Sequence, residues 1–238
     1  MLWVCTSFGG SSKKSNLNYA KMSWYMLNNI RKWDAKEKVK LAIGATKGHA
    51  HTMASKISNN IEGCFSFEID CNGDKFSSKI SILKKVLKFS RPNDCVFYVD
   101  CDVYPYGSIE KPMYDSIKMS KLLVTEMRLE RKEVDKKFRS WIVGLKNNSK
   151  SFDFIDIWKT ETERAGSICT DQEGLWNAFL KMSSTKGDVI DYRKTNIPLY
   201  HTGYIKIGSK WERGKFLDCP EGWKTVESVS KNFDEFIH

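Results

Sequence analysis

No stretch of this chain approaches the roughly 20 consecutive apolar residues of a membrane-spanning helix. Its opening, Met1-Leu-Trp-Val-Cys-Thr-Ser7, is too short for the apolar core of a secretory signal. A transmembrane segment is therefore not expected. Paired cysteines are lacking as well: the seven (Cys5, Cys64, Cys71, Cys95, Cys101, Cys169 and Cys219) are odd in number, and none sits at zinc-ligand spacing. That excludes a zinc finger and argues against a disulfide framework, so reduced thiols in a cytoplasmic compartment are expected. A basic tract is missing too. Lysine and arginine total 39 against 29 acids, a formal charge of +10, but they are scattered through helix-like segments. Such a balance suits a polyanionic partner, whether nucleic acid, an anionic membrane or a phosphorylated small molecule. Nothing matches a nucleic-acid-binding motif, and nucleic acid is not expected as a partner.

Hydrophobic residues make up 41% of the 238 and aromatics 13%, enough to pack a core, and the length suits one α/β domain spanning residues 1–238. Leu2 to Thr6 reads as a first strand, Leu17 to Trp33 as an amphipathic helix, and Lys38 to Ala45 as a second strand. This β-α-β opening implies a mostly parallel sheet flanked by helices. The intervening Ser7-Phe-Gly-Gly-Ser-Ser12 lets backbone approach a ligand, but it matches neither a Walker nor a dinucleotide fingerprint. Thr46 to Asn60, with His49 and His51, reads as a solvated loop. Phe65 to Ile69 is a short strand. Lys75 to Phe89 is a helix with Phe76, Ile80, Leu83, Val86 and Leu87 on one face. After a turn at Tyr104–Gly107, strands are expected at Leu122–Thr125 and Ile142–Leu145. The charged stretch between them, Glu126 to Arg139, reads as a surface helix or a flap, and Phe152 to Thr162 as a helix.

Three motifs carry chemistry. Val96-Phe-Tyr-Val99 is a buried strand that ends in Asp100-Cys-Asp102. In extended geometry the two carboxylates share one side at the carboxyl end of the strand, with Cys101 a spacer facing the other way. Open α/β sheets bind ligands at that end. A divalent cation holding a phosphorylated substrate reconciles such a pair; from the pattern alone, solvated loop acids are an equal alternative. Thr170-Asp-Gln-Glu173 fits a capping box, with Asp171 and Gln172 in the first helical turn, where they can project into a cleft or simply complement the helix dipole. Finally, His201-Thr-Gly-Tyr-Ile-Lys206 combines an imidazole, a glycine that permits close backbone approach, and a lysine. Together these groups suit a cation on a pyrophosphate, with one imidazole among oxygen ligands pointing to Mn2+, or else Mg2+.

In this order and spacing the motifs resemble the metal-dependent glycosyltransferases of the GT-A fold, most closely the retaining branch that includes glycogenin and the lipopolysaccharide galactosyltransferases. The resemblance runs from the first strand to about Trp211 and implies a single GT-A domain. It implies Asp100, Asp102 and His201 as metal ligands, with Asp100 also meeting the ribose. Asp171 and Gln172 would face the donor sugar, and Lys206 the diphosphate. Thr6 and Ser7 correspond to positions that contact the nucleotide base, and Lys79 to a basic residue on the helix before the Asp-x-Asp strand. The implied partners are a nucleotide-diphosphate sugar, with a UDP-sugar favoured, and a glycan or other hydroxyl acceptor. One departure stands out: Arg139-Ser-Trp-Ile-Val-Gly144 replaces the usual Asn-Ser/Ala-Gly element, so the acceptor does not carry over. A metal-dependent nucleotidyl or phosphoryl transferase, or a non-catalytic polyanion-binding module, would use much of the same side-chain chemistry.

Overall fold

The computed structural model describes residues 1–9, 13–70, 77–120, 122–127, 138–165, 170–182, 188–201, 205–207 and 210–212. Strands β1 (Leu2–Phe8), β2 (Val39–Thr46), β3 (Cys64–Ile69) and β4 (Cys95–Val99) alternate with helices α1 (Lys13–Trp33), α2 (His49–Asn60) and α3 (Ser77–Phe89). After β4 come β5 (Val103–Pro105), α4 (Glu110–Met119), β6 (Leu123–Met127), β7 (Phe138–Lys146), α5 (Ser149–Arg164), α6 (Thr170–Met182) and β8 (Val189–Asp191). A short helical turn, Tyr192–Lys194, leads to β9 (Leu199–His201), β10 (Ile205–Ile207) and β11 (Lys210–Glu212). Seven strands form one sheet in the order β3-β2-β1-β4-β7-β6-β8. All its pairings are parallel except those of β7, which lies antiparallel between β4 and β6.

β1 and β4 are buried along their whole length, as their near-continuous apolar sequences require of strands covered on both faces. Alternation along β1 sorts the core into two layers. Leu2, Val4 and Phe8 pack with Met26, Leu27 and Ile30 of α1 and Met53 and Ile57 of α2. Trp3 and Cys5 face the other way, towards Leu83 and Val86 of α3, Phe154 and Trp158 of α5 and Leu175 of α6. The expected mostly parallel α/β sheet is thus observed.

Several local expectations are corrected. The stretch read as a solvated loop around His49 and His51 is helix α2. Gly48, at φ 88°, turns the chain in, and Ala50, Met53, Ala54 and Ile57 form a buried helical stripe that the two histidines obscure. Tyr104 and Pro105 belong to β5, a strand that leaves the main sheet to pair with β9, and are not part of a turn. Helix α4 was not anticipated, because its N-terminus carries no local cap; Asp34, at the end of α1, supplies one from a distance. The Asp34 carboxylate accepts from Ser108 Oγ at 2.5 Å, the Ile109 amide at 2.9 Å and the Glu110 amide at 3.3 Å. Of the charged stretch between β6 and β7, Glu126, Met127, Phe138 and Arg139 are strand residues, while residues 128–137 lie outside the described residues, as do Cys71, Phe76, Cys169 and Cys219.

Helix α6 is held against α5 by close backbone approach at Gly174. A Cβ there would lie 2.7 Å from the Thr162 amide nitrogen and 2.8 Å from its Cα. Backbone cannot swing aside as a side chain can, so Gly174→Ala is expected to force the two helices apart. The expected loss is about 1–3 kcal/mol, read as a lower denaturant midpoint at unchanged slope; a wild-type midpoint would show that α6 is not pinned here.

Candidate active site

A cleft of about 210 Å³ opens at the carboxyl ends of β1 and β4, lined by Ser7, Tyr19, Ser78, Lys79, Asp100 and Asp102 among others. The N-terminus of α3 supplies one wall and the loop after β4 the other. Lys79 sits in the first turn of α3 with only 9% of its side chain exposed. Its ammonium lies 2.8 Å from Asp171 Oδ2 and 3.3 Å from Asp100 Oδ1, and it donates to Ser140 Oγ at 3.0 Å. With the Ser140 carbonyl at 3.4 Å, four acceptors surround its three protons. It also lies 5.4 Å from the centre of the Tyr98 ring.

Two hydroxyls complete the network. Tyr98 donates to Asp100 Oδ1 at 2.7 Å, and Ser140, on β7, donates to Asp171 Oδ2. The indole of Trp158 donates to the Asp171 carbonyl at 2.8 Å, tying the start of α6 to α5. The first acid of the Asp-x-Asp motif and the first acid of the Asp-Gln motif are thereby joined through a single cation.

The charges follow from this packing. Burial alone would lower the Lys79 pKa, but the Asp100 and Asp171 carboxylates outweigh it and hold the pKa above the ordinary lysine value. For Asp171, burial would raise the pKa; the Lys79 ammonium and the Ser140 hydroxyl reverse this and leave it below the usual carboxylate range. Tyr98 is pushed well above the ordinary phenol value by burial and then by Asp100. Burial, reinforced by Asp102 and Asp100, pushes the Cys101 thiol well up, so it is an unreactive neutral group and not a nucleophile.

Ser7 lines the cleft, with its hydroxyl 3.1 Å from that of Ser78. Thr6 alternates to the opposite face of β1, fully buried, and its hydroxyl has no partner among the described residues. Gln172 is half-buried beside Asp171 at the start of α6. The shared side of Asp100 and Asp102 does not come from strand alternation, since β4 ends at Val99 and a turn follows, closed by the Val103 amide donating to the Asp100 carbonyl at 3.2 Å. Both acids reach the cleft because of that turn. Cys101, expected to face away from it, is a buried turn residue that lines the same cleft. Thr170 is not the expected cap: α6 begins at Thr170 itself, and its hydroxyl finds no partner among the described residues.

The register of β5 with β9 pairs Val103 with His201, which brings the backbone of the late histidine next to the acidic turn. Lys206 lies on β10, paired with Trp211 of β11; the side chains of His201 and Lys206 are outside the described residues. Among the described residues no group of three or more His, Cys, Asp or Glu is assembled as a metal cage. The donor set nevertheless fits a hard divalent cation. The ammonium and phenol contacts of Asp100 both fall on Oδ1, so neither consumes its second oxygen, and Asp102 lines the same wall.

Ser140 and Tyr98 were not singled out from the sequence. Tyr98 stands two residues before Asp100, a polar-tipped ring inside an apolar run. Ser140 stands in the segment that departs from the family's usual pattern.

No family model and no curated protein matches this chain. Solved structures do. Galactosyltransferase LgtC in complex with donor and acceptor sugar analogues superposes with a TM-score of 0.56, at 12% identity, over 97% of this chain and 95% of that one. An active-site mutant of LgtC gives 0.57 over the same shares and at the same identity. The apo form of the glycosyltransferase GlyE from Streptococcus pneumoniae TIGR4 gives 0.54 at 12% identity, covering 79% of this chain and 44% of that one. The fold is that of the GT-A glycosyltransferases. Among the described residues, no helix is long and apolar enough to cross a membrane.

Replacing Lys79 by methionine strands the Asp171 carboxylate, whose side chain is 3% exposed. A loss of about 3–5 kcal/mol is expected by chemical denaturation. The Asp171 contribution is present above the unfolded pKa of about 4 and is lost as pH falls through its lower folded pKa. Wild-type stability should therefore decline below about pH 4, and in Lys79→Met that decline should flatten or reverse. An unchanged acid limb in the variant would show that the pair is not coupled.

Proposed function

We propose that this protein is a metal-dependent glycosyltransferase that moves a sugar from a nucleotide-diphosphate donor, with a UDP-sugar favoured, to a hydroxyl of a glycan or other acceptor with retention of configuration. The observation that carries this reading is the Lys79 ammonium held between Asp100 and Asp171, which merges the two acidic motifs into one site at the carboxyl end of the sheet. The likeness to the two glycosyltransferase folds supports it.

Asp100, Asp102 and His201 would hold Mn2+ or Mg2+, which supplies Lewis-acid stabilisation of the departing diphosphate when bound. Ser7, near the end of β1, would border the nucleotide, while Thr6 is buried on the other face of the strand; Lys206 would offset the diphosphate charge. Asp171, kept ionised by Lys79 and oriented by Ser140, would face the reacting carbon with Gln172 and stabilise positive character at the sugar. A carboxylate whose pKa is lowered by an adjacent ammonium is a poor proton acceptor. This disfavours Asp171 as the general base of an inverting enzyme and favours retention, in which the departing phosphate oxygen takes the acceptor proton. Tyr98, which donates to Asp100, is a positioning residue in this scheme.

A thermal-shift panel of nucleoside diphosphates and nucleotide sugars, with and without Mn2+, tests the reading. A ligand at one hundred times its Kd stabilises the folded state by about 2.7 kcal/mol, and that shift should require the metal and disappear in Asp102→Ala. If no nucleotide stabilises the protein in a metal-dependent way, the assignment fails.

A further inference from the structure

Along the β3 edge of the sheet, from the level of Trp3 at the amino end of β1 to that of Ser7, four aromatic rings meet at the surface. Phe89, the last residue of α3, touches Trp3 of β1 at 5.6 Å between centroids, and Phe65 and Phe67 of the edge strand β3 at 5.5 Å each. Trp3 also packs on Phe65, at 5.5 Å. Trp3 is buried and the two β3 rings are half-buried, yet Phe89 remains 55% exposed although three rings surround it. The reason lies in β2. Ala42 and Gly44 are the register partners of Phe65 and Phe67, and a Cβ on Gly44 would lie 3.0 Å from Ile82. The small residues let α3 settle low on the sheet, and the end of the helix with its phenylalanine overhangs the edge.

Cations frame this cluster. Lys85 and Lys88 of α3 are exposed, with Lys85 one helical turn before Phe89, and Arg91 is exposed just beyond it. Lys40 of β2 is the register partner of Trp3 and shares its face. The acids nearby are otherwise engaged or directed. Asp94 is buried against the Arg91 amide and the Trp3 indole, Asp156 pairs with Lys84, Glu62 pairs with Lys36, and Glu68 alternates to the far side of β3 from the two phenylalanines.

We propose that this surface docks peripherally on an anionic lipid bilayer, with Phe89, Phe65 and Phe67 entering the headgroup boundary and Lys85, Lys88, Arg91 and Lys40 meeting lipid phosphates. Half-exposed aromatics ringed by basic side chains are the composition that such interfacial binding uses. A second copy of the chain would bring two sets of like charges together across the same patch, so self-association is disfavoured. The orientation has a consequence for the cleft. Helix α3 begins at the cleft with Ser78 and Lys79 and ends at Phe89, about 15 Å further along its axis. A protein docked through Phe89 thus keeps Lys79, at the other end of α3, a helix length away from the ring that enters the lipid.

The test is flotation of the full chain with vesicles of phosphatidylcholine alone or mixed with phosphatidylglycerol, at two salt concentrations. Binding to the anionic vesicles only, and weaker at higher salt, is expected. Lys85→Gln with Lys88→Gln should weaken it by about fivefold per charge removed, and Phe89→Ser should weaken it at least as much. Phe89 is 55% exposed and lies at the end of α3 remote from Lys79, so its variant should lose some stability but stay folded and keep its nucleotide binding, which separates failure here from failure of the proposed activity. Absence of flotation with anionic vesicles would overturn the proposal, as would binding unchanged in Phe89→Ser. A concentration-dependent dimer abolished by Phe89→Ser would assign the patch to a second copy instead, and an acidic protein bound through it without lipid binding would equally overturn the proposal.

Discussion

One buried ammonium organises the cleft. Lys79 is taken almost completely out of water, which is tolerable only because two carboxylates and a hydroxyl surround it. Each of these partners comes from a different part of the chain: Asp100 from the turn after β4, Asp171 from α6 and Ser140 from β7. The ion pair therefore fixes how the two halves of the sheet meet, and it does so where the strands end. Remove the cation and two acids, one of them 2% exposed, repel each other in a poorly solvated site. The fold and the site share the same interaction.

This arrangement divides the work between the two acids. Asp100 is partly exposed, with its Oδ1 engaged by Tyr98 and Lys79, so it can meet a cation from the cleft while its orientation stays fixed. Asp171 is sealed in, its charge maintained by Lys79 and its carbonyl anchored by Trp158. A group of that kind stabilises charge developing nearby and does not shuttle protons. Cys101 lies between Asp100 and Asp102 as a buried thiol whose pKa burial pushes well up.

Much of the fold was legible because strands buried on both faces write themselves as apolar runs, as in Leu2–Phe8 and Cys95–Val99. Helix α2 was not: its two histidines drew attention from a small-residue stripe that only the sheet beneath it makes evident. Helix α4 was missed because its cap, Asp34, is supplied by a residue more than 70 positions earlier, at the end of α1. At the site, the two acidic motifs stand out in sequence since paired carboxylates at element ends are chemically conspicuous. Lys79 resembled any lysine on a basic helix face. Its burial depends on partners 21, 61 and 92 positions away, and the role of Ser140 on one 31 positions away, which no local pattern encodes. The side that Asp100 and Asp102 share was anticipated for the wrong reason, since a turn and not strand alternation produces it.

In the proposed function, the Lys79-linked acids hold a nucleotide sugar for cleavage at the sugar–phosphate bond. This role is tested most directly by incubating the protein and Mn2+ with a nucleotide sugar labelled separately in the sugar and in the nucleotide, then identifying the nucleotide product. Release of nucleoside diphosphate, with the sugar transferred to an acceptor or to water, is expected, and that release should be lost in Asp100→Asn. Release of nucleoside monophosphate, with phosphate carried along with the sugar, would contradict this role and place the chemistry at phosphorus instead.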